Sequence, residues 1–105
     1  MAVAPDVFWR QYPRVELSYD PAGVAKGLQL FEGLNIEIAA ADLQRAVEAI
    51  RHIPSCTGKV GAIGFCMGGL LAFVCAARAG VESSVIYYGT RLDNYLDLVQ
   101  DITCP

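Results

Sequence analysis

Histidine is nearly missing from this chain: His52 is the single one. Imidazole chemistry inside the chain therefore rests on one residue. The four cysteines (Cys56, Cys66, Cys75, Cys104) show no Cys-x-x-Cys spacing, and only His52 could join them, so no metal site is expected. There is no basic cluster. Eight basic residues face eleven acidic ones, net charge −3, which leaves nucleic-acid binding without an electrostatic footing. The glycines at 61, 64 and 68 miss the Gly-x-Gly-x-x-Gly spacing of a dinucleotide site, and no cofactor is expected. No signal-peptide pattern opens the chain, so a reducing cytoplasm with free thiols is the expected setting.

What is present describes a folded domain. Hydrophobic residues make up 54% of the chain and charged ones 18%, a globular balance, and 105 residues suit one domain spanning 1–105. Val60 to Ala77 is uncharged over a length that would just span a bilayer, with Gly64 and Gly68 spaced as in packed membrane helices. Its glycines, its unanchored flanks and the amphipathic segments on both sides argue for a buried core instead, with no membrane span.

The stretch Val60-Gly61-Ala62-Ile63-Gly64-Phe65-Cys66-Met67-Gly68-Gly69 organises the rest. A short apolar run meets a glycine-flanked cysteine, and a helical pattern follows at once. Gly64-x-Cys66-x-Gly68 has the spacing of a nucleophile elbow, with cysteine where serine is usual. Such a turn strains its central residue and asks for small neighbours, here Gly64, Gly68 and Gly69, so that strand and helix pass closely. A thiolate at a helix N-terminus is favoured by the free N–H groups and the dipole. The N–H of Met67 would supply one oxyanion donor. The plain reading beside it is a small residue at a tight turn. Redox use of Cys66 has no paired thiol to support it.

In chain order, Ala2-Val3-Ala4 reads as the tail of a strand entering a loop. Trp9 and Tyr12 could line a pocket, although packing is the commoner role for aromatics near a strand end. Asp20-Pro21 caps a helix running to about Glu32, and Gly33-Leu34-Asn35 breaks it. A second helix spans about Ile38 to Arg51, with Leu43, Ala46, Val47 and Ile50 as its stripe and Asp42, Arg45, Glu48 and Arg51 towards solvent. Met67 to Arg78 is the elbow helix, with Gly80 as its C-cap. Ser84 to Tyr88 is a second strand. Asp93 to Gln100 gives a short helix with Leu92, Leu96 and Val99 on one side. Ile102 to Pro105 enters another strand. Strands alternating with helices imply an α/β fold whose parallel sheet is covered on both faces. His52 falls at the start of the Val60 strand and Cys66 past its end, roughly 20 Å away at 3.3 Å per residue. It therefore reads as a helix-terminal cation, not the base for Cys66.

Ala2-Val3-Ala4-Pro5-Asp6, the Asp42-Leu43 helix, Gly58-Lys59-Val60-Gly61, Gly64-Phe65-Cys66-Met67-Gly68-Gly69 and Tyr87-Tyr88-Gly89 together resemble the dienelactone hydrolase family. The resemblance implies a partial α/β-hydrolase-like parallel sheet flanked by helices and truncated at both ends. It implies opening of cyclic enol-lactones by a Cys-His-Asp triad, with Cys66 the nucleophile, Met67 the oxyanion residue and a small lactone or ester as ligand. In the family pattern the triad aspartate and histidine lie beyond the point equivalent to Pro105. A glutamate that meets the cysteine, and the other oxyanion donor, lie before Met1. A substrate-binding arginine has no clear match among Val24, Ala25 and Lys26. In that family's sheet order a further strand separates Ala2–Ala4 from the Val60 strand. Unpaired edges of that kind lead to the expectation of self-association, by a homodimer or by exchange of strands or helices. The alternative function is a non-catalytic oligomeric binding or structural module.

Overall fold

The computed structural model describes residues 1–105, which divide into two compact units, residues 2–35 and residues 36–105 with Met1. The first unit holds one helix, α1 (Pro21–Glu32). Its start follows from local chemistry. Asp20 stands in extended conformation and its carboxylate accepts from the Gly23 N–H at 2.7 Å, while Pro21 fills the first turn, where no N–H is needed. That hydrogen bond holds the Asp20 carboxyl below its ordinary range. Ala2–Ala4 forms no strand: residues 7–14 close into turns around Asp6, whose carboxylate accepts from the Phe8 and Arg14 N–H groups. Three apolar residues with no neighbouring strand have no ladder to join, so the expected strand and the gap beside it do not arise.

The second unit runs α2 (Ile36–Arg51), β1 (Gly61–Phe65), α3 (Met67–Arg78), β2 (Ser83–Tyr87) and a 3₁₀ segment, η1 (Leu92–Asp101). β1 and β2 pair in parallel, Gly61 opposite Ser83 through Phe65 opposite Tyr87. A parallel pair needs a crossover, and α3 supplies it. α3 is apolar on every side, with Leu70 and Val74 wholly enclosed, because both strands, α2 and η1 all pack on it. The Val60–Ala77 run is thus a strand followed by a helix, and no helix is long and apolar enough to cross a membrane.

Several boundaries differ from the sequence reading. α2 begins two residues early, at Ile36. Its buried face is Ala39, Ala40, Leu43 and Val47, with Ala46 and Ile50 half-buried at the rim. The C-cap of α3 is Ala79, and Gly80 follows it with φ +65°, the left-handed position that favours glycine. Leu92, Leu96 and Val99 do not share a face. The segment is kinked at Tyr95, whose φ −131° and ψ 19° are not helical, so no single period runs through it: Leu98 is buried, Leu92 and Tyr95 are half-buried, and Leu96 and Val99 are exposed. Ile102–Pro105 is no strand, although the Ser84 N–H donates to the Pro105 carbonyl at 2.9 Å alongside β2. The α/β class and the parallel sheet flanked by helices are as expected; within residues 36–105 α3 packs on one face of that sheet, and the residues on the other are exposed.

The N-terminal end of β1 is clamped. Arg51, in the last turn of α2, donates to the carbonyls of Gly58 and Gly80 and to Glu82 at 2.8 Å. The other Glu82 oxygen accepts from the Val60 N–H at 2.7 Å. These bonds hold the Glu82 carboxyl below its ordinary range, through Arg51 first and Val60 second, and raise Arg51 in return. Arg78 of α3 pairs with Glu37 of α2.

Candidate active site

At the other end of β1 the chain turns through Cys66 into α3. Cys66 has φ 55° and ψ −116°, a conformation an L residue adopts only when its surroundings impose it, at a cost of about 1–3 kcal/mol. Four backbone bonds impose it. The Cys66 N–H donates to the Tyr87 carbonyl at 3.0 Å, which extends the β1–β2 ladder by one residue. The Cys66 carbonyl accepts from Gly69 (3.0 Å) and Leu70 (3.2 Å), the first turn of α3, and from Thr90 (3.3 Å), which follows β2. The backbone is fixed while the side chain stays exposed and caps nothing.

The three elbow glycines are not equivalent. A Cβ on Gly64 would overlap the Gly68 carbonyl, because strand and helix cross there backbone to backbone. A Cβ on Gly69 would stand 2.8 Å from both the Gly89 Cα and the Tyr87 carbonyl, where α3 passes the end of β2. Gly68 has open space, with nothing within 4 Å of an added Cβ. It is crowding at 64 and 69 that requires glycine.

Met67 is the first residue of α3, where a backbone N–H has no acceptor within the helix. That group and the Cys66 thiol share the helix's N-terminus. Tyr88 (φ 38°) and Arg91 (φ 58°) are also in the left-handed region, so strain gathers in the loop that meets the elbow. The Thr90 Oγ1 is buried there with no hydrogen-bond partner. Sequence reasoning did not single out Thr90. Its place just after Gly89, in the turn that follows β2, was the only available signal.

Thiol position separates the cysteines. Burial pushes Cys75, inside α3, up to about 11, which makes it unreactive, whereas Cys66 faces solvent. All four cysteines are free. His52 does not join Cys66. It follows α2 at the opposite end of β1, with its Nδ1 2.8 Å from the Glu48 carbonyl and 3.6 Å from the Glu48 carboxylate. Lys26 belongs to the first unit, where its Nζ reaches Gln29 at 3.5 Å and lies 5.9 Å from the Tyr12 ring centroid. Trp9 in that unit is half exposed and carries the Arg10 guanidinium 4.3 Å over its ring.

Comparison with known proteins bears on this geometry. The family model described as "Dienelactone hydrolase family" matches residues 1–105. Carboxymethylenebutenolidase 1 of Cupriavidus pinatubonensis is 40% identical over 104 residues, covering 98% of this chain and 44% of its own. The carboxymethylenebutenolidase of Pseudomonas putida is 37% identical over 105 residues, covering 99% and 44%. That of Pseudomonas sp. strain P51 is 32% identical over 106 residues, again with 44% of its length covered. The chain thus spans less than half the length of these relatives.

Proposed function

Because the chain belongs to the dienelactone hydrolase family, an α/β-hydrolase family, we propose that its elbow carries the nucleophile of an ester- or lactone-opening reaction. The Cys66 thiolate attacks the carbonyl carbon of a cyclic enol-lactone. The negative charge on the carbonyl oxygen is met by the Met67 N–H and the dipole of α3. The ring C–O bond breaks, the enolate oxygen leaves and takes a proton, and a thioester on Cys66 remains. Water then adds to the thioester, releasing the carboxylic acid and the thiol. One observation carries this reading: a non-glycine residue is held at φ 55°, ψ −116° with its thiol exposed at the N-terminus of a buried helix.

The same geometry bounds what these residues supply. They provide the nucleophile, one oxyanion donor and a rigid frame. His52 is held against Glu48 at the far end of β1, so the proton acceptor for Cys66 comes from outside this set. Four free thiols suit a reducing compartment such as the cytoplasm.

A second reading, a non-catalytic binding or structural module, is favoured by the exposed apolar outer face of the sheet. Enol-lactone and ester hydrolysis by wild type beside Cys66→Ala separates the two, with light scattering on the same samples. Turnover lost in Cys66→Ala supports the hydrolase. A well-folded wild type with no turnover sinks it for this chain and leaves the module.

A further inference from the structure

The register of the β1–β2 pair brings Cys66 to its place, and the strands themselves specify that register poorly. β2 is Ser83-Ser84-Val85-Ile86-Tyr87, and Tyr88 follows it. Each kind of side chain occurs twice in succession: serine, β-branched aliphatic, tyrosine. In the observed register Gly61 lies opposite Ser83, Ile63 opposite Val85 and Phe65 opposite Tyr87. A slip of β2 by one residue would set Gly61 opposite Ser84, Ile63 opposite Ile86 and Phe65 opposite Tyr88. The same kinds of pair recur, so cross-strand pairing on this face favours neither arrangement. β1 also holds two glycines and an alanine among its five residues, and glycine-rich strands fix register weakly. On the side towards α3 the observed register is marked by the Ser84 hydroxyl, which donates to the Ala72 carbonyl at 2.8 Å. A slip would turn every β2 side chain to the opposite face. It would also draw the Tyr87 carbonyl about 3.3 Å along the strand, away from the Cys66 N–H that now donates to it at 3.0 Å.

The far end of the pair supplies the missing specification. The Glu82 N–H donates to the Val60 carbonyl at 2.9 Å, and a Glu82 carboxylate oxygen accepts from the Val60 N–H at 2.7 Å. Both backbone polar groups of Val60 are thus tied to one residue, the one before β2 begins. The other Glu82 oxygen accepts from Arg51 at 2.8 Å, and the same guanidinium donates to the Gly58 and Gly80 carbonyls. That planar fork joins the end of α2, the turn into β1 and the turn from α3 to β2. Glu82 is the only acidic residue from Ala79 to Tyr88, so this set of bonds forms in one register and no other. Every partner in it lies between residues 51 and 82.

We propose that Arg51 and Glu82 lock the β1–β2 register and so act as positioning residues for the elbow, about 20 Å away along β1. Neither touches Cys66. The strand transmits their effect because its rise per residue is fixed: with Val60 held against Glu82, Phe65 falls opposite Tyr87, and the next N–H, that of Cys66, meets the Tyr87 carbonyl. The lock goes beyond the catalytic reading and holds whether or not Cys66 opens a lactone.

Solution NMR of wild type, Arg51→Met, Glu82→Ala and Arg78→Ala tests it. Arg78→Ala removes the pair between Arg78 and Glu37, a matched loss of an arginine–carboxylate contact away from the strands. In wild type and Arg78→Ala, methyl NOEs should join Ile63 to Val85 and not to Ile86, which sits on the opposite face of β2. In Arg51→Met and Glu82→Ala, NOEs from Ile63 to Ile86 should appear. The Cys66 amide should then exchange with solvent at least roughly tenfold faster relative to the Val74 amide inside α3, a ratio that uniform destabilisation leaves alone. Should Arg51→Met fail to fold, Glu82→Ala decides, since it removes a half-exposed side chain and leaves no cavity. A folded Glu82→Ala with only the Ile63–Val85 NOEs overturns the proposal. So does a Cys66 to Val74 exchange ratio equal to that of wild type, or the same slip in Arg78→Ala.

Discussion

The two ends of β1 are built on opposite rules. At the Val60 end polar groups are tied to one another: Arg51 reaches two carbonyls and Glu82, and Glu82 reaches back to the Val60 N–H. Six residues later, at Cys66, the backbone is strained, Tyr88 and Arg91 of the adjoining loop also have positive φ, and a threonine hydroxyl is buried without a partner. One end locates the strand; the other presents a thiol. The difference shows why a strained turn persists. Its cost is carried by α3, which buries eight of its twelve residues and leaves the elbow no relaxed alternative.

The contrast breaks most completely at Gly64. Gly64→Ala should destabilise the protein by about 4 kcal/mol or more, because its Cβ meets backbone that cannot give way, and denaturant unfolding measures the loss. Gly68→Ala, in open space, is the matched comparison and should leave the midpoint nearly unchanged or slightly raised. A loss as large at 68 as at 64 would mean that crowding is not what selects the glycine.

Relieving the strain sharpens the comparison from the other side. Cys66→Gly should stabilise the fold by about 1–2 kcal/mol while removing the nucleophile, since glycine adopts φ 55° freely. Equal or lower stability would show that the turn stores no strain. Thr90→Val replaces a buried, unpartnered hydroxyl by a methyl of similar shape and should gain about 1 kcal/mol in thermal unfolding.

The smallest expected effect lies at the clamped end and depends on pH. The Glu82 carboxyl titrates below its ordinary value in the folded chain, so it adds stability at pH above the ordinary glutamate range. That contribution is lost as pH falls through the depressed folded value. Both partners are solvent-screened, which keeps the effect modest. Glu82→Gln should lower stability at neutral pH and flatten the acid limb of the stability curve. An unchanged acid limb would remove Glu82 from the clamp.

Much of the site was legible in the residues. Gly64-x-Cys66-x-Gly68 between an apolar run and a helical pattern is a strand–turn–helix whichever protein holds it, and Asp20-Pro21 announces α1 in the same local way. Less local features were not. The period of η1 was misread because the segment is kinked at Tyr95, and no residue type marks that break. The role of Gly69 was visible as a small residue, but its reason, the approach of Gly89 and Tyr87, comes from residues twenty positions away.

The sequence by itself determined the elbow, the two helices before it, the alternation of helix and strand and the isolation of His52 from Cys66. All of these depend on neighbours a few residues apart. Tertiary structure alone decided which glycine is crowded, which cysteine is buried and which sheet face is left open. Each of those is set by what another element brings alongside. Gly64 and Ile63 are neighbours on β1, yet the packing of α3 buries one and leaves the other exposed.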